Sequence, residues 1–208
     1  WDRFYQRNKS NFFKDRHYLH KAFPVEMGRL FNEEGSGDDD DDSGIITKRN
    51  ETKTMTTTIC EIGCGVGNNI LPLLRKNSDV TVHCFDFSPT AISILRQNSL
   101  FQSRLLNRRA SASVWDITSS PPPRHHTAVA DVTMLLFCLS AVAPAKMSDA
   151  ARNVSLTLRP GGVLLFRDYG RYDEAQMKLG VSRRRELGEN FYVKGDGTRC
   201  YYFELEDL

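Results

Sequence analysis

No apolar run in the 208 residues approaches the roughly 20 that span a bilayer, so the sequence offers no membrane segment. Paired cysteines are also missing. The five cysteines, Cys60, Cys64, Cys84, Cys138 and Cys200, lie mostly in apolar, strand-like stretches without C-x-x-C spacing, which argues against a disulfide framework and against zinc. Reduced, buried thiols are expected, and no metal. There is no internal repeat and no large net charge: the balance is +2, but DDDDD at 38–42 concentrates acid in one island and leaves the remainder basic enough to meet a polyanion. With 40% hydrophobic and 26% charged residues, a chain of this length suits one domain with a sizeable core and would be crowded as two. It opens at Trp1 rather than methionine, which leaves a preceding targeting segment open. A cytoplasmic location is expected, with nucleus and mitochondrion as alternatives.

Residues 1–31 are rich in aromatics and bases and read as one or two helices, an extension outside the central sheet. Residues 32–54 have little to bury and carry a block of like charge, so they read as an acidic, disordered surface loop, the other reading being a docking site for a basic partner. Over 55–208 the pattern alternates: strand TTTICEIG, helix NNILPLLRKN, strand VTVHCFDFS, helix PTAISILRQNS, strands ASVWD and DVTMLLFCLSAV, helix KMSDAARNVSLTL, a turn at RPGG, strand VLLFRDYG. This predicts an α/β fold with a mostly parallel, twisted sheet and helices on both faces. SSPPPRHH at 119–126 reads as a connecting loop whose His125 and His126 are exposed linker residues rather than ligands. Near the end, NFYVKGDGTRCYYFEL places Gly-Asp-Gly between two aromatic runs and predicts a β-hairpin.

The chemistry concentrates at CEIGCGVGNN, 60–69, where a strand runs through Gly63, Gly65 and Gly67 into a helix. Such a turn bares unpaired N–H groups and lets a ligand approach the backbone. The spacing is wrong for G-x-x-x-x-G-K-[ST], and the sixth position of G-x-G-x-x-G is Asn68. Glu61 followed by G-x-G-x-G is the form this turn takes in class I, Rossmann-like S-adenosylmethionine (SAM) dependent methyltransferases; another nucleotide site or a structural turn are the competing readings. Ligands of such sheets bind beyond the carboxyl ends of the strands. Asp86, closing VTVHCFD, is spaced from the glycines to accept both ribose hydroxyls, or else serves as a cap. Asp116 in VWDIT could accept the adenine amino group, with Trp115 or Ile117 over the ring, and its other reading is an N-cap. Leu136 would pack on adenine or the methionine side. Gly65, Asn68, Phe87 and Ser88 complete the candidate cofactor set.

Six blocks in order, FFKDRH, EIGCGVGN, FDFSP, MLLFCLSAV, LFRDYG and NFYVKGDGTRCYYF, closely resemble the tRNA N3-methylcytidine methyltransferases of the methyltransferase-like family. The resemblance covers nearly all of the chain except the acidic loop and the loop around the prolines. It implies SAM contacts from Trp1 and Tyr5 in WDRFY, matching the family's N-terminal Trp and Tyr, besides Gly63, Asp86, Asp116 and Leu136. It implies cytidine 32 of the tRNA anticodon loop as substrate, and a protein partner such as a tRNA synthetase for some members. It also implies a further helix and two closing strands, so the chain is expected to stop short of the family's full sheet. For the reaction, Asp168 in FRDYG is the candidate carboxylate beside the base, with Arg167 orienting it or binding phosphate; a structural ion pair is the other reading. Phe13, Lys14, Arg16 and His17, with Phe12, combine rings and charge for RNA, against a capped, half-buried helix; Arg183, Arg184 and Arg185 add a basic cluster, against a solvated face. Other readings of the function are a protein or small-molecule methyltransferase on this fold, or a partner subunit without turnover.

Deleting residues 35–44 is expected to leave fold and SAM binding intact, since shortening a loop changes its closure entropy by well under about 1 kcal/mol. A large fall in melting temperature would show instead that the island is packed.

Overall fold

A computed structural model describes residues 1–10, 13–27, 56–77, 79–180 and 185–207. The acidic stretch, Phe12, Arg183 and Arg184 lie outside the described residues. Five parallel strands, β1 (Thr57–Ile62), β2 (Val80–Asp86), β3 (Ala110–Val114), β4 (Ala130–Leu136) and β5 (Leu158–Arg167), form one sheet in the order β3-β2-β1-β4-β5. Ile62 stands opposite both Phe85 and Leu135, Asp86 opposite Val114, and Leu136 opposite Arg167, so the strands end level and their exit loops share one edge.

Period-two alternation assigns each strand's side chains to two cores. On β1, Ile59 joins a cluster with Leu73, Leu74, Leu95 and Phe101, while Cys60 and Ile62 face Phe85, Trp115, Leu135 and Val154 on the other side. The first cluster is covered by α2 (Leu19–Ala22), α3 (Pro24–Met27), α4 (Ile70–Lys76), α5 (Pro89–Gln97) and α6 (Ser99–Leu106), the second by α7 (Met147–Ser155). The extension begins with α1 (Asp2–Asn8). After β5 come α8 (Glu174–Gly180) and a small antiparallel sheet, β6 (Glu186–Gly188), β7 (Phe191–Val193) and β8 (Arg199–Tyr201). The expected hairpin is β7–β8: Lys194 N–H donates to Thr198 O at 2.7 Å, and Gly197 takes a φ of +84° in the turn.

Several boundaries differ from the sequence reading, each for a local reason. The helix expected at PTAISILRQNS stops at Asn98, whose side-chain oxygen accepts the N–H groups of Leu100 and Phe101 at 3.1 and 3.3 Å and so starts α6, which the sequence reading did not separate. RPGG is no turn: it lies inside β5, where the pairing with β4 shifts register between Ala130 and Val132 and the extra residues form an irregular stretch. β4 ends at Leu136 because Phe137 turns to a φ of +53°. His126 is buried, packed on Phe85 and His83, where an exposed linker was expected.

Phe101 anchors α6 with no exposed surface, so Phe101→Ala should cost about 3–5 kcal/mol in urea unfolding, whereas exposed Gln102→Ala should stay within about 0.5 kcal/mol. Equal effects would deny that α6 packs as described.

Candidate functional site

Strand order reverses between β1 and β4, and in open parallel sheets that reversal leaves a crevice beyond the carboxyl ends. A cavity of about 550 Å³ fills it. Its floor is the glycine loop. Gly63 and Gly65 have φ of +70° and +54°, and a Cβ at either would stand 2.5 Å from Cys138 Sγ or Tyr5 Oη respectively. Bare backbone is thus required by the protein's own close packing, from the exit of β4 and from α1, as well as by the turn. Gly65 N–H donates to Asp86 Oδ2 at 2.9 Å and Gly63 N–H to Phe85 O at 2.8 Å, which ties the loop to the end of β2.

Asp86 is buried and lines the cavity; burial raises its carboxyl above the usual carboxylate range, and the N–H groups of Ser88 and Gly65 oppose that rise. Phe87 lines the cavity from an exposed position. Ser88 does not face it, contrary to expectation. Its hydroxyl accepts Ala91 N–H as the N-cap of α5 and donates to Asp2 Oδ1 at 2.6 Å, which leaves it fully buried behind the site. Asp2 also accepts Thr90 N–H at 3.1 Å, so α1 is tied to the start of α5. That places Trp1 and Tyr5 over the glycine loop, with Phe13 stacked behind Trp1 at 6.4 Å between ring centres, and all three line the cavity. Burial, then the nearby Asp86, lifts the Tyr5 phenol well above its ordinary range.

The segment FFKDRH divides. Asn68, which lines the cavity, donates its side-chain amide to Phe13 O at 2.9 Å and accepts Arg16 N–H on its backbone carbonyl at 2.8 Å, so the glycine loop clasps this segment. Lys14 and His17 point outward, while Arg16 turns into the cavity with its guanidinium 4.7 Å from the Phe137 ring centre. Arg185 is exposed.

Glu61 stands behind the cavity wall. Asn69, which does line the cavity, donates to Glu61 Oε1, while Glu61 Oε2 and Asn69 Oδ1 are buried without a hydrogen-bond partner among the described residues. Burial pushes the Glu61 carboxyl up to about 8. Across the cavity Asp116 accepts Thr118 N–H and Oγ1–H on one oxygen, at 2.9 and 2.7 Å, while Ile117, Trp115 and Leu136 supply apolar wall.

Asp168 and Arg167 are placed otherwise than the sequence suggested. Asp168 accepts the N–H groups of Ser140 and Tyr169, at 2.9 and 3.0 Å, and faces another cavity, of about 520 Å³, beside the segment Gly170–Tyr172. Its carboxylate fixes the loop after β4 rather than meeting the main cavity. Arg167 is exposed, lies over Tyr18 at 4.9 Å, and makes no ion pair with Asp168 among the described residues. The sequence reading missed Phe137, Cys138, Lys146, Tyr169, Lys194 and Arg199, all of which line the cavity. Only the hairpin's conspicuous GDG turn could have drawn attention to Lys194 and Arg199, since their arrival at the site depends on how β7–β8 folds back.

A family model described as a methyltransferase domain matches residues 60–164. The chain is 40% identical to the tRNA N(3)-cytidine methyltransferase METTL2 of Xenopus tropicalis, over all of this chain and 64% of that protein. It is 34% identical to the METTL2 of Bos taurus, over all of this chain and 67% of that protein. The chain thus spans less than two thirds of the Xenopus relative's length. A SAM-dependent methyltransferase from Methanosarcina mazei shares the fold, with a TM-score of 0.58 at 22% identity over 74% of this chain and 76% of that one.

Because the folded-state value of Glu61 lies near 8, above its ordinary 4.5, stability from this residue is complete below pH 4.5 and declines as pH rises toward 8. Glu61→Gln should flatten that decline in urea midpoints measured from pH 5 to pH 8. Parallel curves for the two proteins would show that Glu61 does not titrate there.

Proposed function

The chain belongs to the tRNA N(3)-cytidine methyltransferase family, and from that premise we propose that it methylates N3 of cytidine 32 in the tRNA anticodon loop, with SAM as donor. The observation that carries the reading is the cavity at the strand-order reversal, lined by the carboxylates of Asp86 and Asp116, the rings of Trp1, Tyr5, Phe13 and Phe137, and the bases Arg16, Lys146, Lys194 and Arg199. The six family blocks carry the position within tRNA.

The residues present fit SAM. Asp86 and Asp116 are acceptors for a ligand rich in hydroxyl, amino and ammonium donors, and Trp115, Ile117 and Leu136 offer apolar cover. Bound SAM supplies an electrophilic methyl group on a sulfonium. In this reading Asp86 accepts the ribose hydroxyls, Asp116 the adenine amino group, and Gly63 and Gly65 lie along the methionine part. Trp1 and Tyr5 close over it, held there by the Asp2 tie to α5.

Cytosine N3 carries a lone pair at neutral pH, so the N3–methyl bond forms as the carbon–sulfur bond breaks and its electrons stay on sulfur. No general base is required. The protein's task is to hold N3 in line and exclude water, where orientation supplies much of the barrier lowering. This suits a site in which Asp168 is committed to backbone N–H groups. N3 lies on the pairing edge, so the base must leave its stack, as loop nucleotides readily do. A partner that presents the tRNA, such as a tRNA synthetase, belongs to the same reading.

The test offers purified protein bulk tRNA or protein extract with labelled SAM, followed by nucleoside mass spectrometry. N3-methylcytidine from tRNA is the expected product; label in protein alone, or SAM binding without transfer, would reject the reading. Asp86→Ala should weaken SAM about 10- to 100-fold in calorimetry, from loss of a charge-assisted acceptor. Unchanged affinity would remove Asp86 from the site.

A further inference from the structure

Phe137 adopts a φ of +53°, which bulky side chains take only where their surroundings force it. Its N–H is held by Arg167 O at 2.8 Å, and the turn sets its ring against the cavity, 5.1 Å from the ring centre of Tyr169. Cations lie on both rings. Arg16 stands 4.7 Å and Arg167 5.9 Å from the Phe137 ring centre, and Lys194 stands 4.6 Å from that of Tyr169. The ion pairs of the described residues include neither Arg16 nor Lys194; each lies directly on a ring face, while the charge of Arg16 is felt at Glu61 and that of Lys194 at Asp168. Four separate parts of the chain converge here: the N-terminal segment, the exits of β4 and β5, and the β7–β8 turn.

We propose that this cluster is the subsite for the extruded nucleotide: Phe137 and Tyr169 take the cytosine on their faces, and Arg16 and Lys194 swing from those faces to the flanking phosphates. The inference rests on the tRNA reading above and adds residues to it. A phosphate offers each cation a full opposite charge, which a ring quadrupole does not, so an entering nucleotide both draws the cations away and fills the faces they leave. The exchange also suits the product. Methylation at N3 leaves a cationic base, which aromatic faces favour and a guanidinium at the same face would oppose. Phe13 is less suited to the base, because its ring is already packed between Trp1 and Phe4.

The experiment uses an anticodon stem-loop RNA carrying cytidine or an abasic nucleotide at position 32, with binding, single-turnover methylation and SAM affinity measured separately. Phe137→Leu and Tyr169→Leu should each lower affinity for the cytidine RNA on the order of 10- to 100-fold and abolish its advantage over the abasic RNA, while Phe137→Tyr and Tyr169→Phe keep it. RNA binding and methylation are compared at a SAM concentration that saturates each variant, so that any change in cofactor affinity is separated from the loss of the base. Arg16→Gln with Lys194→Gln should reduce the salt slope of RNA binding by about 0.7 per lost phosphate contact. If Phe137→Leu loses SAM binding through misfolding, Tyr169→Leu decides. Leucine variants that keep the cytidine preference, or an unchanged salt slope, overturn the subsite while leaving a methylating wild type, and hence the tRNA reading, intact. A wild type that makes no N3-methylcytidine overturns both.

Discussion

The hydrogen bond from Gly65 N–H to Asp86 Oδ2 fixes two loops that a parallel sheet would otherwise leave independent. β1 and β2 are neighbours in register, so their ends arrive together, but nothing in strand pairing dictates how the chain leaves each strand. Asp86 does so by receiving one N–H from its own turn and one from the glycine loop. A buried carboxylate is costly without such donors, so the bond orders the loops and satisfies the charge together. Cys138 and Tyr5 then press on Gly63 and Gly65, which extends that order to β4 and to the N-terminal helix.

The cavity's outer wall is attached differently. α1 joins the sheet through Asp2 at the start of α5, a ring cluster of Trp1, Phe4, Tyr5 and Phe13, and the clasp of Asn68 on the following segment. These contacts are few beside the two cores under the sheet, and local opening is least costly where buried apolar contacts are fewest. A wall of this kind opens more readily than the cores, and through Tyr5 and Asn68 its movement is felt at the glycine loop.

Charge around the cavity is mixed. Asp86 is buried in its wall and Glu61 behind it, both raised by burial, whereas Arg16, Lys146, Lys194 and Arg199 line it together with the exposed Asp116 and Asp196. Buried acceptors suit a cationic cofactor, and a lining with several bases can meet a polyanion.

The sequence by itself determined the alternating strands and helices, because period-two and helical apolar patterns report directly which faces are buried. It also marked the glycine loop and Asp86, since left-handed backbone and a strand-end acid leave local signatures. It misjudged RPGG, Asn98 and Phe137, where a bulge, a cap and a backbone turn depend on neighbouring strands or on side-chain orientation. Only the tertiary structure decided that Ser88 caps a helix, that Asp168 holds a loop, that Arg16 faces inward while Lys14 does not, and that Lys194 reaches Tyr169. Each of those outcomes depends on partners tens of residues away in the chain, and residue identity alone does not say which groups will compete for a hydroxyl, a carboxylate or a ring face.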